Sequence, residues 1–148
     1  MKTRSYLEEM EILEAPFGQR EKYVKFFGFE VGDLIAYHVT HAENAEGIRQ
    51  NGIKARTCQQ SYERTAAVYL FADRRDMTHD VLDILGFGAD CVIFEVRIPR
   101  QDVLNKLLLD GLFNGTFGLT YSAVQYLDNI PASWITRELR RKPRKEAN

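Results

Sequence analysis

The residues able to do chemistry in this chain are few. It holds three histidines, His38, His41 and His79, and two cysteines, Cys58 and Cys91. A histidine pair at spacing three suggests a metal at first sight. His38, however, falls on a predicted strand and His41 beyond its end, so the two rings diverge, and no carboxylate pair stands nearby to complete a ligand set. No metal site is expected. Two cysteines supply neither a disulfide framework nor a cysteine-based zinc site, which fits a reducing, cytoplasmic setting. Walker-type phosphate loops, GxGxxG, HExxH and GxSxG are all absent from the sequence. What remains is an ordered pattern. It runs Tyr37-His38-Val39-Thr40, Glu43-Asn44, Ile48 and Gly52-Ile53, then Val68-Tyr69-Leu70-Phe71, and later Ile130-Pro131-Ala132-Ser133-Trp134-Ile135.

The elements that position this pattern follow from periodicity and turn signals. Leu34 to Val39 is rich in β-branched and aromatic residues and predicts a strand. Helical spacing from Asn44 closes at Asn51-Gly52, a good helix stop. Ile53 to Ala55 suits a very short strand. Arg56 to Thr65 is a polar loop without apolar periodicity, and a loop of that length inside a compact domain is often functional. Ala66 to Phe71 predicts the second strand. Asp73 sits where a helix N-cap would, with a helix expected to about Leu85 before Gly86-Phe87-Gly88. Cys91 to Ile98 predicts the third strand, ended by Pro99. Val103 to Leu109 reads as a fourth, Gly115 to Leu127 as one or two more, and Ile135 to Leu139 as the last. Ahead of these, Tyr6 to Phe29 has helical spacing interrupted by Pro16 and Gly18, with a second short helix from Gln19 to near Gly28.

With 148 residues the chain suits one domain and can bury about two-thirds of its unfolded surface. Hydrophobic residues make up 45% and charged residues 28%, which excludes disorder of the whole chain. The longest apolar run, Ala66 to Ala72, is far short of the roughly 20 residues that cross a bilayer. Basic residues at Lys2 and Arg4 have no apolar stretch behind them, so no signal peptide is expected. The formal charge of −1 names no partner. Its distribution is uneven: from Arg137 to Asn148 six basic residues face only Glu138 and Glu146. Such a tail suits either a solubilising terminus or contact with nucleic acid or an acidic protein surface.

In order and spacing, the pattern from Leu34 to Ile135 resembles the ADP-ribosyltransferase-like superfamily. His38-Val39-Thr40 with Asn44, Ile48 and Gly52-Ile53 is most similar to the opening of the DNA-thymidine ADP-ribosyltransferase toxins and related bacterial and phage proteins. The resemblance implies an α+β split β-sandwich over residues 31–139, two small and roughly perpendicular sheets with helices from Asn44 and Asp73 against them. Residues 1–30 would form an N-terminal helical extension and 140–148 a basic tail. It implies NAD as substrate and a macromolecular acceptor, protein or nucleic acid, for a toxin or phage effector.

By the same resemblance, His38 would hydrogen-bond the ribose next to nicotinamide and Tyr69 would stack on the nicotinamide ring. A neutral imidazole can donate to or accept from a hydroxyl, and a tyrosine ring offers a flat apolar face. Thr40, Asn44 and Tyr62 would join them around NAD. Arg56, Gln59 and Arg64 would contact the acceptor. Transferring members carry a Glu on a late strand that stabilises the cationic, oxocarbenium-like transition state. Here Thr120 to Leu127 contains no Glu, and Gln125 is the nearest isostere. Gln brings no negative charge, so a degenerate domain that binds a nucleotide or protein partner without turnover stands as the alternative. Apart from the pattern, His38 reads as a hydrogen-bonded core residue and Tyr69 as a core ring with its hydroxyl at the rim.

Overall fold

A computed structural model describes residues 12–27, 31–57, 66–110, 114–115, 118 and 120–141. Six strands, β1 (Leu34–Thr40), β2 (Val68–Phe71), β3 (Val92–Ile98), β4 (Leu107–Leu109), β5 (Ala123–Tyr126) and β6 (Ile135–Arg140), form one antiparallel sheet in the order β4-β5-β2-β1-β3-β6. Among the described residues, short helices accompany it: α1 (Arg20–Phe27), α2 (Ala45–Asn51), α3 (His79–Ile84) and α4 (Arg100–Asn105). The protein is therefore mixed α and β, with strands dominating after Val31.

The pairing is uneven. β1 and β3 pair along their whole length, from Leu34↔Ile98 to Thr40↔Val92. β2 pairs with β5 from Val68↔Tyr126 to Phe71↔Ala123. Between β1 and β2 the register is a single pair, Tyr37↔Phe71. The sheet is thus two three-stranded halves, β4-β5-β2 and β1-β3-β6, hinged at one point. One sheet with a weak seam stands where the sequence predicted two separate sheets.

Both faces of the sheet are covered. Because side chains alternate along a strand, Leu34, Ala36, Val68, Leu70, Phe94, Val96, Val124 and Tyr126 share one face and build the larger core. Val39, Phe71, Ile93 and Ala123 share the other, where Val81 and Leu82 of α3 close over them. The larger core also takes in Ile12, Leu13 and Val24, so residues 12–27 pack into the body.

Arg20 locks that segment in place. Its side chain is fully buried and donates to the carbonyls of Ala15 and Val103 at 2.9 Å, Leu13 at 3.0 Å and Leu107 at 2.5 Å, with Phe17 stacked beneath the guanidinium at 4.4 Å. Burial pulls its pKa down to about 10, leaving it charged at neutral pH. The five donors of a planar guanidinium can serve several carbonyls at once, which a single ammonium cannot.

Two sequence expectations change and a third is narrowed. Val103 to Leu109 is not one strand: Pro99 starts α4, whose Val103 and Leu104 are buried, and only Leu107–Leu109 is extended. A short apolar run fits either element, and proline at the N-cap decides here. Asp73 caps a 3-10 turn, Arg74–Asp76, by accepting from the Arg75 amide, and the helix itself begins after Thr78, which accepts from the Val81 amide at 3.2 Å. Between Gly115 and Leu127 there is one strand among the described residues, β5.

Candidate functional site

The hinge between the halves opens a cleft of about 530 Å³. Its walls come from the end of β1, the 3-10 turn Ala42–Asn44, α2 and the start of β2. The cleft exists because β1 and β2 part after Tyr37↔Phe71, and the His38 side chain bridges the gap. Its Nδ1 lies 2.9 Å from the main-chain oxygen of Tyr69. A carbonyl only accepts, so Nδ1 carries the proton, and in the neutral ring Nε2 is left as an acceptor. The ring stays neutral because burial pushes its pKa below the ordinary histidine value. The Tyr69 carbonyl opposes that shift and nearby Arg56 adds to it.

Around His38 the cleft gathers Thr40, Asn44, Arg56 and Tyr69. Asn44 donates through its side-chain amide to the Thr40 hydroxyl at 3.1 Å, tying the turn to the end of β1. This is a different role from capping, since Asn44 makes no side-chain bond to the helix it precedes. Arg56 bridges to Ala67 through reciprocal main-chain bonds of 3.0 and 3.1 Å, which hold the two ends of the polar loop together at the cleft.

The back wall depends on one glycine. Gly52 ends α2 with φ +80°, and a Cβ there would meet the Ile130 carbonyl oxygen at 2.2 Å and the Ala132 nitrogen at 2.9 Å. The adjoining Ile53 and Ile130 exchange main-chain bonds of 2.8 Å in each direction. Two distant stretches of the sequence pattern, Gly52-Ile53 and Ile130-Pro131, therefore meet directly behind the cleft.

Gln125 sits elsewhere. It pairs with Tyr69 across β2 and β5, so the two side chains leave the same face of the sheet, but Gln125 does not line the cleft. By strand alternation His38 leaves β1 on the opposite face, alongside Ala36. Gln59, Tyr62 and Arg64 lie outside the described residues. Sequence reasoning missed Glu43, His41, Lys54 and Phe87 as lining residues. The His41 and Phe87 rings lie 5.0 Å apart at the rim. Glu43 is the one carboxylate among the described lining residues. Its position in the pattern, between Thr40 and Asn44, was the available signal.

Among the described residues, no group of three or more His, Cys, Asp or Glu is placed to hold a metal ion. Nor is any helix among them long and apolar enough to cross a membrane. No protein-family model matches the chain, and no curated protein matches it.

Proposed function

We propose that the protein is an ADP-ribosyltransferase-like domain that binds NAD in the cleft between its half-sheets and passes ADP-ribose to a macromolecular acceptor. The observation that carries this reading is the committed His38 ring. With Nδ1 fixed on the Tyr69 main-chain carbonyl, Nε2 is a preset acceptor for a ribose hydroxyl in the cleft. The parting of the sheet at a single register pair leaves room for a ligand between its halves. A cleft of about 530 Å³ falls within the range of about 300–1,000 Å³ usual for small-ligand sites. Lys54 and Arg56 supply positive charge for a pyrophosphate.

In such a transfer the bond between the nicotinamide nitrogen and the anomeric carbon breaks, and the electron pair leaves with nicotinamide. The acceptor atom then bonds the same carbon and gives its proton to solvent. Positive charge develops on the ribose, where a nearby carboxylate stabilises it. Gln125 cannot serve as that carboxylate, and Glu43 is the lining residue of the right charge. The uncharged Gln125 beside Tyr69 favours a second reading, a domain that holds NAD or another nucleotide without turnover. Titration with NAD, followed by mass spectrometry of cell extract for added ADP-ribose, separates these readings. Binding with transfer supports the first, binding alone the second, and no binding overturns both.

A further inference from the structure

β6 ends the sheet on one side, and side chains strap it to both walls of the cleft. Glu138 takes the Arg49 guanidinium at 2.6 and 2.9 Å, which ties β6 to α2. At the other wall Arg141, the residue after β6, donates to the Phe87 carbonyl at 2.9 Å, and Phe87 lines the rim. The two straps differ in kind. Arg49 holds Glu138 below the usual carboxylate range, so that pair keeps its charges in mild acid. Arg141 depends instead on a histidine. Its side chain is 7% exposed, and it also holds Asp83 at 2.7 Å. Its Nε and Nη2 lie 3.2 and 3.1 Å from His79 Nδ1. A guanidinium offers donors alone, so Nδ1 must be an unprotonated acceptor.

We propose that Arg141 and His79 form a pH-sensitive latch on the cleft, closed while His79 is neutral and released when acid protonates it. A proton on Nδ1 turns the acceptor into a donor and sets two cations face to face at 3.1 Å. Asp83 lies four positions along α3 from His79, so the imidazolium can take that carboxylate from Arg141. Arg141 is the partner that leaves. The register of β6 on β3 ends at Arg140↔Val92, just before it, whereas His79 is fixed in α3 behind the Thr78 cap. Release loosens the hold on Phe87 and opens the rim, where its ring stands 5.0 Å from His41.

The surrounding groups leave this exchange to His79. Asp80, on the same helix, is exposed. On the 3-10 turn, Arg74 is exposed, Arg75 is held by Asp73 at 2.7 Å, and Asp76 accepts from the Tyr121 and Ser122 amides. Arg140 turns with Glu138 to the other face of β6. Cys91, which feels the charge of Arg141, stays a neutral thiol because burial pushes its pKa up. The inference stands apart from the NAD reading, since the latch is measured on the protein without ligand.

The test is hydrogen exchange of the full chain at pH 7.5 and 5.5, on either side of the range in which histidines titrate. The readout is mass spectrometry of the peptide holding Leu85 to Cys91, corrected for the intrinsic effect of pH. In wild type that peptide should lose protection several-fold at pH 5.5. His79→Asn keeps an acceptor near the Nδ1 position but cannot titrate, so it should stay protected at both pH values. Arg141→Ala should be unprotected at both. In wild type, NMR signals of the His79 ring and of the Arg141 Nε–H should change with one midpoint. The proposal is overturned if wild type keeps its protection at pH 5.5, or if Arg141→Ala is as protected as wild type at pH 7.5. It is equally overturned if His79→Asn responds to acid as wild type does, which moves the effect to His38 or His41. Separate midpoints for the two NMR signals overturn it whatever the variants do.

Discussion

His38 Nδ1 and the Tyr69 carbonyl meet at 2.9 Å just beyond the only register pair that joins β1 to β2. A side chain thus continues the seam where main-chain pairing stops, and the same bond orients the ring for a ligand. Replacing His38 with Ala removes both functions. NAD affinity should fall several-fold, the loss of an ordinary hydrogen bond of about 0.5–1.5 kcal/mol, while the domain stays folded. Calorimetric titration beside a thermal melt checks this, and unchanged affinity in a folded variant would remove His38 from the site.

The same ring should make stability depend on pH. Its folded pKa is lowered, so the unfolded chain binds the proton more readily. The contribution is therefore complete above the unfolded histidine value of about 6.5 and is lost as pH falls from there toward the lower folded value. His38→Asn keeps an N–H donor for the Tyr69 carbonyl but cannot titrate. Urea midpoints measured from pH 5 to 8 should slope upward for wild type, and the slope should be shallower in His38→Asn.

Much of the local structure around this cleft was legible in the sequence, because it rests on local signals. The strand around His38, the helix stop at Asn51-Gly52 and the strand around Tyr69 are written in residue types within a few positions of each other. The seam is not, because register between β1 and β2 depends on pairings far along the chain. Nor is Arg20, one charge among several in Arg20-Glu21-Lys22, whose carbonyl partners lie as far away as Leu107. The Val103 to Leu109 run could be read either way until Pro99 was seen to start a helix.

Arg20 should be among the costliest single positions outside the cleft. Arg20→Met keeps much of the volume but strips donors from four carbonyls, each worth about 1–3 kcal/mol when left unsatisfied in the interior. A loss of at least about 3 kcal/mol is expected. Arg20→Lys should recover only part of it, since an ammonium cannot span the same acceptors. Chemical denaturation of the three proteins decides, and full rescue by Lys would mean that charge alone matters there.

Two glycines of the cleft should respond in opposite directions. Gly47, inside α2, has open space where a Cβ would stand, so Gly47→Ala should stabilise by about 0.5–1 kcal/mol. Gly52→Ala forces a side chain at φ +80° into the Ile130 carbonyl and should cost more than the 1–3 kcal/mol, roughly, of backbone strain alone. Equal melting temperatures for wild type and Gly52→Ala would show that α2 is not clamped to residues 130–132.

The last prediction concerns the missing charge. Gln125 faces the same side of the sheet as Tyr69, one strand away, while Glu43 lines the cleft itself. If catalysis needs a carboxylate near the ribose, the two positions respond differently. Glu43→Gln should leave NAD binding nearly intact and lower any NAD hydrolysis, because it removes charge without removing hydrogen-bonding capacity. Gln125→Glu should leave hydrolysis at the wild-type level, because that side chain does not line the cleft. Rates of nicotinamide release from the two variants and wild type measure both effects. A drop in Glu43→Gln with no gain in Gln125→Glu assigns the electrostatic role to Glu43 and leaves Gln125 a sheet residue. No hydrolysis in any of the three, with NAD still bound, makes the cleft a binding site without turnover.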